Sequence, residues 1–211
     1  MNNTELQARI NGVRAADGGA HLLVEVVFLE NGERRRETLT LLTARVGQMP
    51  QVGEISPGTL DDLRRESCVC AAIGAGLRCL GAGGSSARRL VEKLRTRGFD
   101  FDTATAATEV LAEKGYLREE ESALREAERG MAKLWGDRRI LADLSAKGYS
   151  GSALQYAKAR LQAEDGVERC VKLLRKRRVK FPADESEARK LFAALVRYGY
   201  TPTEIKKALQ K

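Results

Sequence analysis

From Ala20 to Leu29 the chain is nearly continuous in apolar residues, and Val24, Val26, Val27 and Phe28 favour an extended strand. Asn31-Gly32 follows, a pair suited to tight turns, and the alternating Thr and Leu of residues 36–43 complete a hairpin. A shorter strand over residues 7–14 is expected to turn at Asp17-Gly18-Gly19. Gly53-Glu54-Ile55-Ser56 then leads into the first helix, where Ser56 can cap free amides, Pro57 suits the first turn, and Asp61 and Asp62 complement the dipole. From Leu60 onward the pattern predicts only helices and short turns.

Within that helical part three segments align without gaps around a glycine followed by an aromatic residue. Residues 88–99 end on Gly98-Phe99, residues 138–149 on Gly148-Tyr149, and residues 189–200 on Gly199-Tyr200, so the glycines are 50 and then 51 residues apart. Leu90, Ile140 and Leu191 correspond, as do Leu94, Leu144 and Leu195; four residues apart, each pair shares one helix face. The glycine falls one turn past the second apolar position, where a helix can end in a left-handed residue that glycine adopts without strain. The aromatic after it can fold back on the helix just left. A second helix follows, with small or apolar residues at Ala104, Ala107 and Leu111, at Leu154, Ala157 and Leu161, and at Ile205 and Ala208. A further helix precedes each stop: around Leu77, over 119–134 with Leu124, Ala127, Met131 and Leu134 on one face, and over 167–176.

The expected fold is therefore mainly α: three tandem three-helix repeats in an elongated array, preceded by a small N-terminal β-rich segment. The expected divisions are residues 1–66 for the β-hairpin segment with a linking helix, then 67–118, 119–165 and 166–211 for the repeats. The third repeat carries an insertion over 179–187, in which Phe181-Pro182 opens a loop and Asp184 or Ser186 could cap the next helix.

Charge sharpens this picture through its placement. The chain of 211 residues has a formal net charge of +8, and residues 166–211 hold 13 Lys and Arg against 5 Asp and Glu, so the remainder balances. An anionic partner met mainly through the C-terminal end is the natural consequence, although basic helices also serve simply as solvated faces. No apolar stretch reaches the ~18 residues that span a bilayer, and the polar start lacks signal-peptide features, so a soluble, cytoplasmic protein without a membrane partner is expected. Cys68, Cys70, Cys79 and Cys170 fit reduced, buried thiols, and with His21 as the only histidine neither a zinc site nor any other metal or cofactor is expected.

Catalytic constellations are missing. The glycine-rich run 73–86 lacks the Gly-Lys-Ser/Thr ending of a phosphate loop and has no strand before it, so it reads as a flexible turn ending at Ser86 as a helix cap. Glu119-Glu120-Glu121 suits a helix start better than acid–base work. No Ser or Cys has an evident base partner, and the chain is read as a binding protein, not an enzyme.

The basic pairs are the better lead. Arg88-Arg89, Arg138-Arg139 and Arg189-Lys190 occupy equivalent positions at the start of the same repeated helix. Arg175-Lys176-Arg177-Arg178 with Lys180 forms the densest patch, and Lys147 precedes the second glycine stop. Cations repeated at regular intervals suit a periodic anionic partner such as a nucleic-acid backbone or a helical protein polymer. Trp135, Phe181, Tyr198 and Tyr200 are read as core more readily than as base-stacking platforms.

These residues resemble the RecX family of regulators of the RecA recombinase. The resemblance rests on Gly53-Glu54-Ile55-Ser56, on Ser86, Leu90, Leu94 and Gly98-Phe99 at their spacing, and on Gly115-Tyr116-Leu117. It continues through Gly136-Asp137-Arg138-Arg139-Ile140 with Leu144 and Lys147-Gly148, and through Tyr198-Gly199-Tyr200 with Ile205. Departures cluster in and around the first repeat: Arg118-Glu119 in place of two acids, Ser122 in place of an aromatic, and Gly83-Gly84-Ser85 in place of arginines. What the resemblance implies is a monomer whose three helical repeats lie in the groove of the RecA filament on single-stranded DNA. There it would limit filament growth or promote disassembly, dampening homologous recombination, DNA repair and the SOS response. The twelve cations named above are the residues expected to meet the filament, with weak direct DNA binding as an accompaniment. The alternative reading is a direct DNA-binding protein built from helix-turn-helix-like units.

Overall fold

The computed structural model describes residues 8–30, 32–81, 83–179 and 184–210. Four strands come first, β1 (Ala8–Ala16), β2 (His21–Glu30), β3 (Glu33–Leu42) and β4 (Gly53–Ile55). They form one antiparallel sheet in the order β3-β2-β1-β4. Asp17-Gly18-Gly19 makes the turn between β1 and β2 as expected, with Gly18 and Gly19 at positive φ. Strands β2 and β3 pair antiparallel up to Glu30 and Glu33, and Asn31 of the expected Asn31-Gly32 turn lies outside the described residues.

Helix α1 runs unbroken over Pro57–Gly81. It opens as expected, with Ser56 Oγ accepting the Thr59 N–H at 3.1 Å. Alternate residues Leu22, Val24, Val26 and Phe28 of β2 and Leu39 and Leu41 of β3 form a core with Ile10 and with Leu60 of α1. Arg64 fixes the same helix from outside, its guanidinium 4.6 Å from the Phe28 ring and 2.8 Å from Glu37. The expected division at residues 66/67 falls inside α1, since nothing in its sequence stops a helix there. The glycine-rich run is helical as far as Gly81, so the expected turn is confined to its end, where residues 83–86 are non-helical and Ser86 caps the next helix as expected, its Oγ accepting the Arg89 N–H at 3.2 Å. A Cβ on Gly76 would come within 2.5 Å of Leu111, so glycine here permits close approach of the partner helix. Cys79 is buried, whereas Cys68 is exposed on α1, in contrast to the buried thiol expected.

Then follow α2 (Ala87–Arg95), α3 (Phe101–Glu113), α4 (Glu119–Ala132), α5 (Asp137–Ala146), α6 (Gly151–Gln162), α7 (Gly166–Lys176), α8 (Glu185–Arg197) and α9 (Pro202–Leu209). The chain divides into two units. One holds the sheet, α1 and Val91–Lys114; the other holds Ala82–Leu90 and Gly115–Lys211, so the division falls within α2. In the first unit α3 packs on α1. In the second, α4, α5 and α6 enclose Ala127, Met131, Ile140, Leu144, Tyr149, Ala157 and Leu161. Helices α7, α8 and α9 enclose Cys170, Leu173, Leu195, Tyr200 and Ile205. Full burial of residues such as Ile140 and Leu144 contributes about 1.5–3 kcal/mol each. Two positions differ from the apolar stripes read in the sequence: Ala153 rather than Leu154 is fully buried in α6, and Ala123 rather than Leu124 in α4, because small residues there let the two helices approach closely. Asp184 caps α8 by accepting the Glu187 N–H at 2.8 Å, while Phe181-Pro182 lies outside the described residues.

Candidate functional site

Each repeated glycine ends its helix as its spacing predicts. Gly98, Gly148 and Gly199 have φ of +95, +84 and +95°, and at each the aromatic N–H returns to the carbonyl of the leucine five residues earlier. The glycine N–H meanwhile bonds the carbonyl three residues back, so all three stops are Schellman turns. Two further helices stop in the same way on residues with side chains: Leu134 (φ +59°) after α4 and Arg178 (φ +49°) after α7.

In the second unit two of these stops are also joints. The turn ending α8 meets the start of α5: the N–H groups of Gly136 and Arg138 donate to the carbonyls of Tyr198 and Gly199 at 2.8 and 3.2 Å. A Cβ on Gly136 would lie 2.3 Å from the Gly199 backbone, and one on Gly199 would lie 2.5 Å from Arg139. The turn ending α5 meets the first turn of α2 likewise: Ser86 Oγ donates to the Lys147 carbonyl at 2.6 Å, and Gly148 abuts the Arg88 side chain. At the joint of α5 with α8 backbone amides at one helix start thus meet free carbonyls at another helix end, while at the joint of α2 with α5 the Ser86 hydroxyl is the donor. Glu119, at the start of α4, accepts the Ala87 N–H at 2.5 Å, a capping role the run of acids did not reveal.

The joint between α5 and α8 assembles cations and rings. The Arg139 guanidinium lies 4.2 Å from the Trp135 ring and 5.3 Å from the Tyr198 ring; Lys133 lies 4.9 Å from Trp135. Arg177 stands 4.4 Å from the Tyr198 ring and donates to its hydroxyl. Ring faces between guanidinium groups offset their mutual repulsion by about 0.5–1 kcal/mol per contact. They leave guanidinium edges able to hold carboxylates or phosphates. Arg138 is exposed beside Arg139, and Arg175, Lys176 and Arg178 are exposed at the end of α7. Trp135 and Tyr198 are half-buried and hold the cations, a role beyond the core packing expected of them.

The other expected cations are placed differently. Arg88 and Arg89 stand on the first turn of α2, Arg88 against Gly148. Lys147 is held by Glu126 at 2.6 Å and Asp143 at 2.7 Å. Burial opposes its charge, but hydrogen bonds to Asp143 and Glu126 outweigh that and raise its pKa, while the same contact lowers that of Glu126 against burial. Arg189 pairs with Glu185 at 2.7 Å on the exposed side of α8, where Lys190 is also exposed. Lys180 lies outside the described residues.

A cation not foreseen, Arg169 of α7, is 4% exposed and ties the third repeat to the second. Its Nη1 donates to Asp137 at 2.7 Å and to the Trp135 carbonyl at 3.2 Å. Beneath, burial pushes the Cys170 thiol up to about 11 and raises Tyr200 further still, while Tyr200 donates to the Leu134 carbonyl at 2.8 Å. Among the described residues no cluster of His, Cys, Asp and Glu is placed to hold a metal, and no helix is long and apolar enough to cross a membrane.

No protein-family model matches the chain, and neither does any curated protein. Solved structures do. One described as regulatory protein RecX is similar over 97% of this chain and 100% of its own, with a TM-score of 0.72 at 15% identity. The fold is that of RecX. A RecX from Lactobacillus salivarius is similar over 68% of this chain and 95% of its own, with a TM-score of 0.58 at 20% identity. The RecX fold thus takes in both the N-terminal sheet and the helical repeats, in agreement with the mainly α architecture expected.

Proposed function

We propose that this chain is a non-catalytic regulator that binds the RecA filament on single-stranded DNA and restrains its recombinase, ATPase and coprotease activities. The observation that carries this reading is the likeness to a regulatory RecX structure over nearly the whole chain, joined to the motifs shared with that family. The basic cluster around Trp135 and Tyr198 supplies the contact chemistry. Its guanidinium edges suit acidic side chains of a protein polymer or the phosphates within it. Contacts are assigned to Arg138, Arg139, Arg175, Lys176, Arg177 and Arg178 foremost, and after them to Arg88, Arg89, Arg189 and Lys190.

The test is an ATPase or strand-exchange assay with purified recombinase. Inhibition at near-stoichiometric protein is expected, and its absence would sink the reading. Reversing the charge of Arg138 together with Arg175 and Lys176 should relieve inhibition while the helical circular-dichroism signal stays unchanged. A titration with single- and double-stranded DNA across salt concentrations separates the direct DNA-binding alternative, which requires tight, steeply salt-dependent duplex binding.

A further inference from the structure

The glycine stop occurs three times, and two of its copies already hold a guest. At the end of α8 the guest is the first turn of α5, and at the end of α5 it is the first turn of α2. The third copy, at the end of α2, has the same backbone: Gly98 at φ +95°, its N–H bonded to the Arg95 carbonyl and that of Phe99 to Leu94. Yet among the described residues nothing lies within 4 Å of the position a Gly98 Cβ would take, where Gly148 and Gly199 meet the incoming helix at 2.9 and 2.5 Å. An open cleft of about 670 Å³ lies there, lined by Glu92, Arg95, Thr96, Phe99, Asp100 and Phe101, and the Phe101 side chain is 58% exposed.

We infer that the end of α2 is a receptor for the N-terminal turn of a helix on a partner protein. The two filled copies define what the guest must bring. In one, a glycine at the cap allows backbone amides to reach the last carbonyls; in the other, a serine hydroxyl donates to them. The guest therefore carries Gly or Ser at its N-cap. Around the end of α2 Lys93, Arg95 and Arg97 are balanced by Glu92, Asp100 and Asp102, and both filled copies take a guest with an arginine pair in its first turn, Arg88-Arg89 or Arg138-Arg139, so a basic pair after the cap is expected of this guest too. A second copy of this chain does not meet these terms through the equivalent helix. The cap of α8 is Asp184, whose carboxylate would face the carbonyls of the stop, acceptor against acceptor.

The probe is a peptide with the sequence of residues 134–147 of this chain, which contains the Gly136 cap and the Arg138-Arg139 pair. It is titrated into the full-length ¹⁵N-labelled protein. Saturable amide shifts confined to residues 95–101 are expected, with binding about tenfold weaker for a peptide carrying Gly136→Val and abolished in a Thr96→Trp protein. Absence of those shifts at about 1 mM peptide, or equal shifts with the Gly136→Val peptide, would overturn the inference. Sedimentation equilibrium of the protein alone completes the test. A monomer is expected, and a dimer lost in Thr96→Trp would make the occupant a second copy and overturn the assignment to a foreign partner.

Discussion

Gly199→Ala is expected to unsettle the second unit far more than the loss of one glycine would suggest. The residue sits at φ +95°, where a side chain costs about 1 kcal/mol or more. Its added Cβ would stand 2.5 Å from both the Arg139 backbone nitrogen and Cβ and 2.8 Å from the Gly136 carbonyl, all parts that cannot swing away as a side-chain tip can. Forcing them apart adds about 1–3 kcal/mol, and lengthening the amide bonds from Gly136 and Arg138 loses about 1 kcal/mol each. The expected total is about 4–6 kcal/mol, a large share of the ~5–15 kcal/mol that holds a domain together. Gly151→Ala is the matched control: its φ is +52° and open space surrounds it, so it should cost only about 1 kcal/mol. Trp135 is the chain's single tryptophan and lies at the joint, so its fluorescence in a urea titration reports this unit, with the difference read from the midpoints at constant slope. If Gly199→Ala cost no more than Gly151→Ala, the joint would be no more than a neighbouring turn.

Ser86→Ala removes both the hydroxyl bond to the Lys147 carbonyl and the helix cap accepted from Arg89, and should lower stability by about 1–2 kcal/mol in the same titration. Lys147→Met tests the ion cluster through pH. Glu126 has a lowered folded-state pKa, so its contribution is present above the ordinary carboxylate value and is lost as pH falls through the folded one. Lys147 has a raised pKa, so its contribution is present below the ordinary lysine value and lost as pH rises through the folded one. The variant should lose about 1 kcal/mol at neutral pH and show a shallower decline in melting temperature at both extremes; an unaltered acid limb would contradict the pairing. Arg178→Gly should raise stability by about 0.5–1 kcal/mol, because it relieves the left-handed backbone at φ +49°, while weakening any anion binding at the end of α7.

Periodicity made the repeats legible because the features that define them are local. An apolar pair four residues apart and a glycine one turn later sit within a dozen residues, and Ser56, Asp184 and the Asp17-Gly18-Gly19 turn act over three or four. Strand β4 escaped notice because three residues, Gly53–Ile55, are too few to alternate, and their pairing with Ala8–Ile10 is a long-range matter. The run through Gly74, Gly76 and Gly81 suggested a turn because helix propensity is local, whereas contact with Leu111 decides Gly76. The second role of Gly148 and Gly199 was hidden for the same reason. Each glycine explains itself as a helix stop, and nothing near it in sequence points to Ser86 or Gly136 some 60 residues away. Of the cations, regular spacing found the basic pairs but could not foresee that Lys147 is occupied by two carboxylates or that Arg169 is buried. The stops on Leu134 and Arg178 carried no sequence signal, because side chains are uncommon at positive φ.

Co-sedimentation tests the central proposal most directly. The protein is spun with recombinase filaments on single-stranded DNA and, in parallel, with the naked DNA. It should pellet with the filaments, remain in the supernatant with DNA alone, and lose filament binding when Arg138, Arg175 and Lys176 are reversed in charge. Pelleting equally with naked DNA, or failure to pellet with filaments, would contradict a regulator that recognises the recombinase filament.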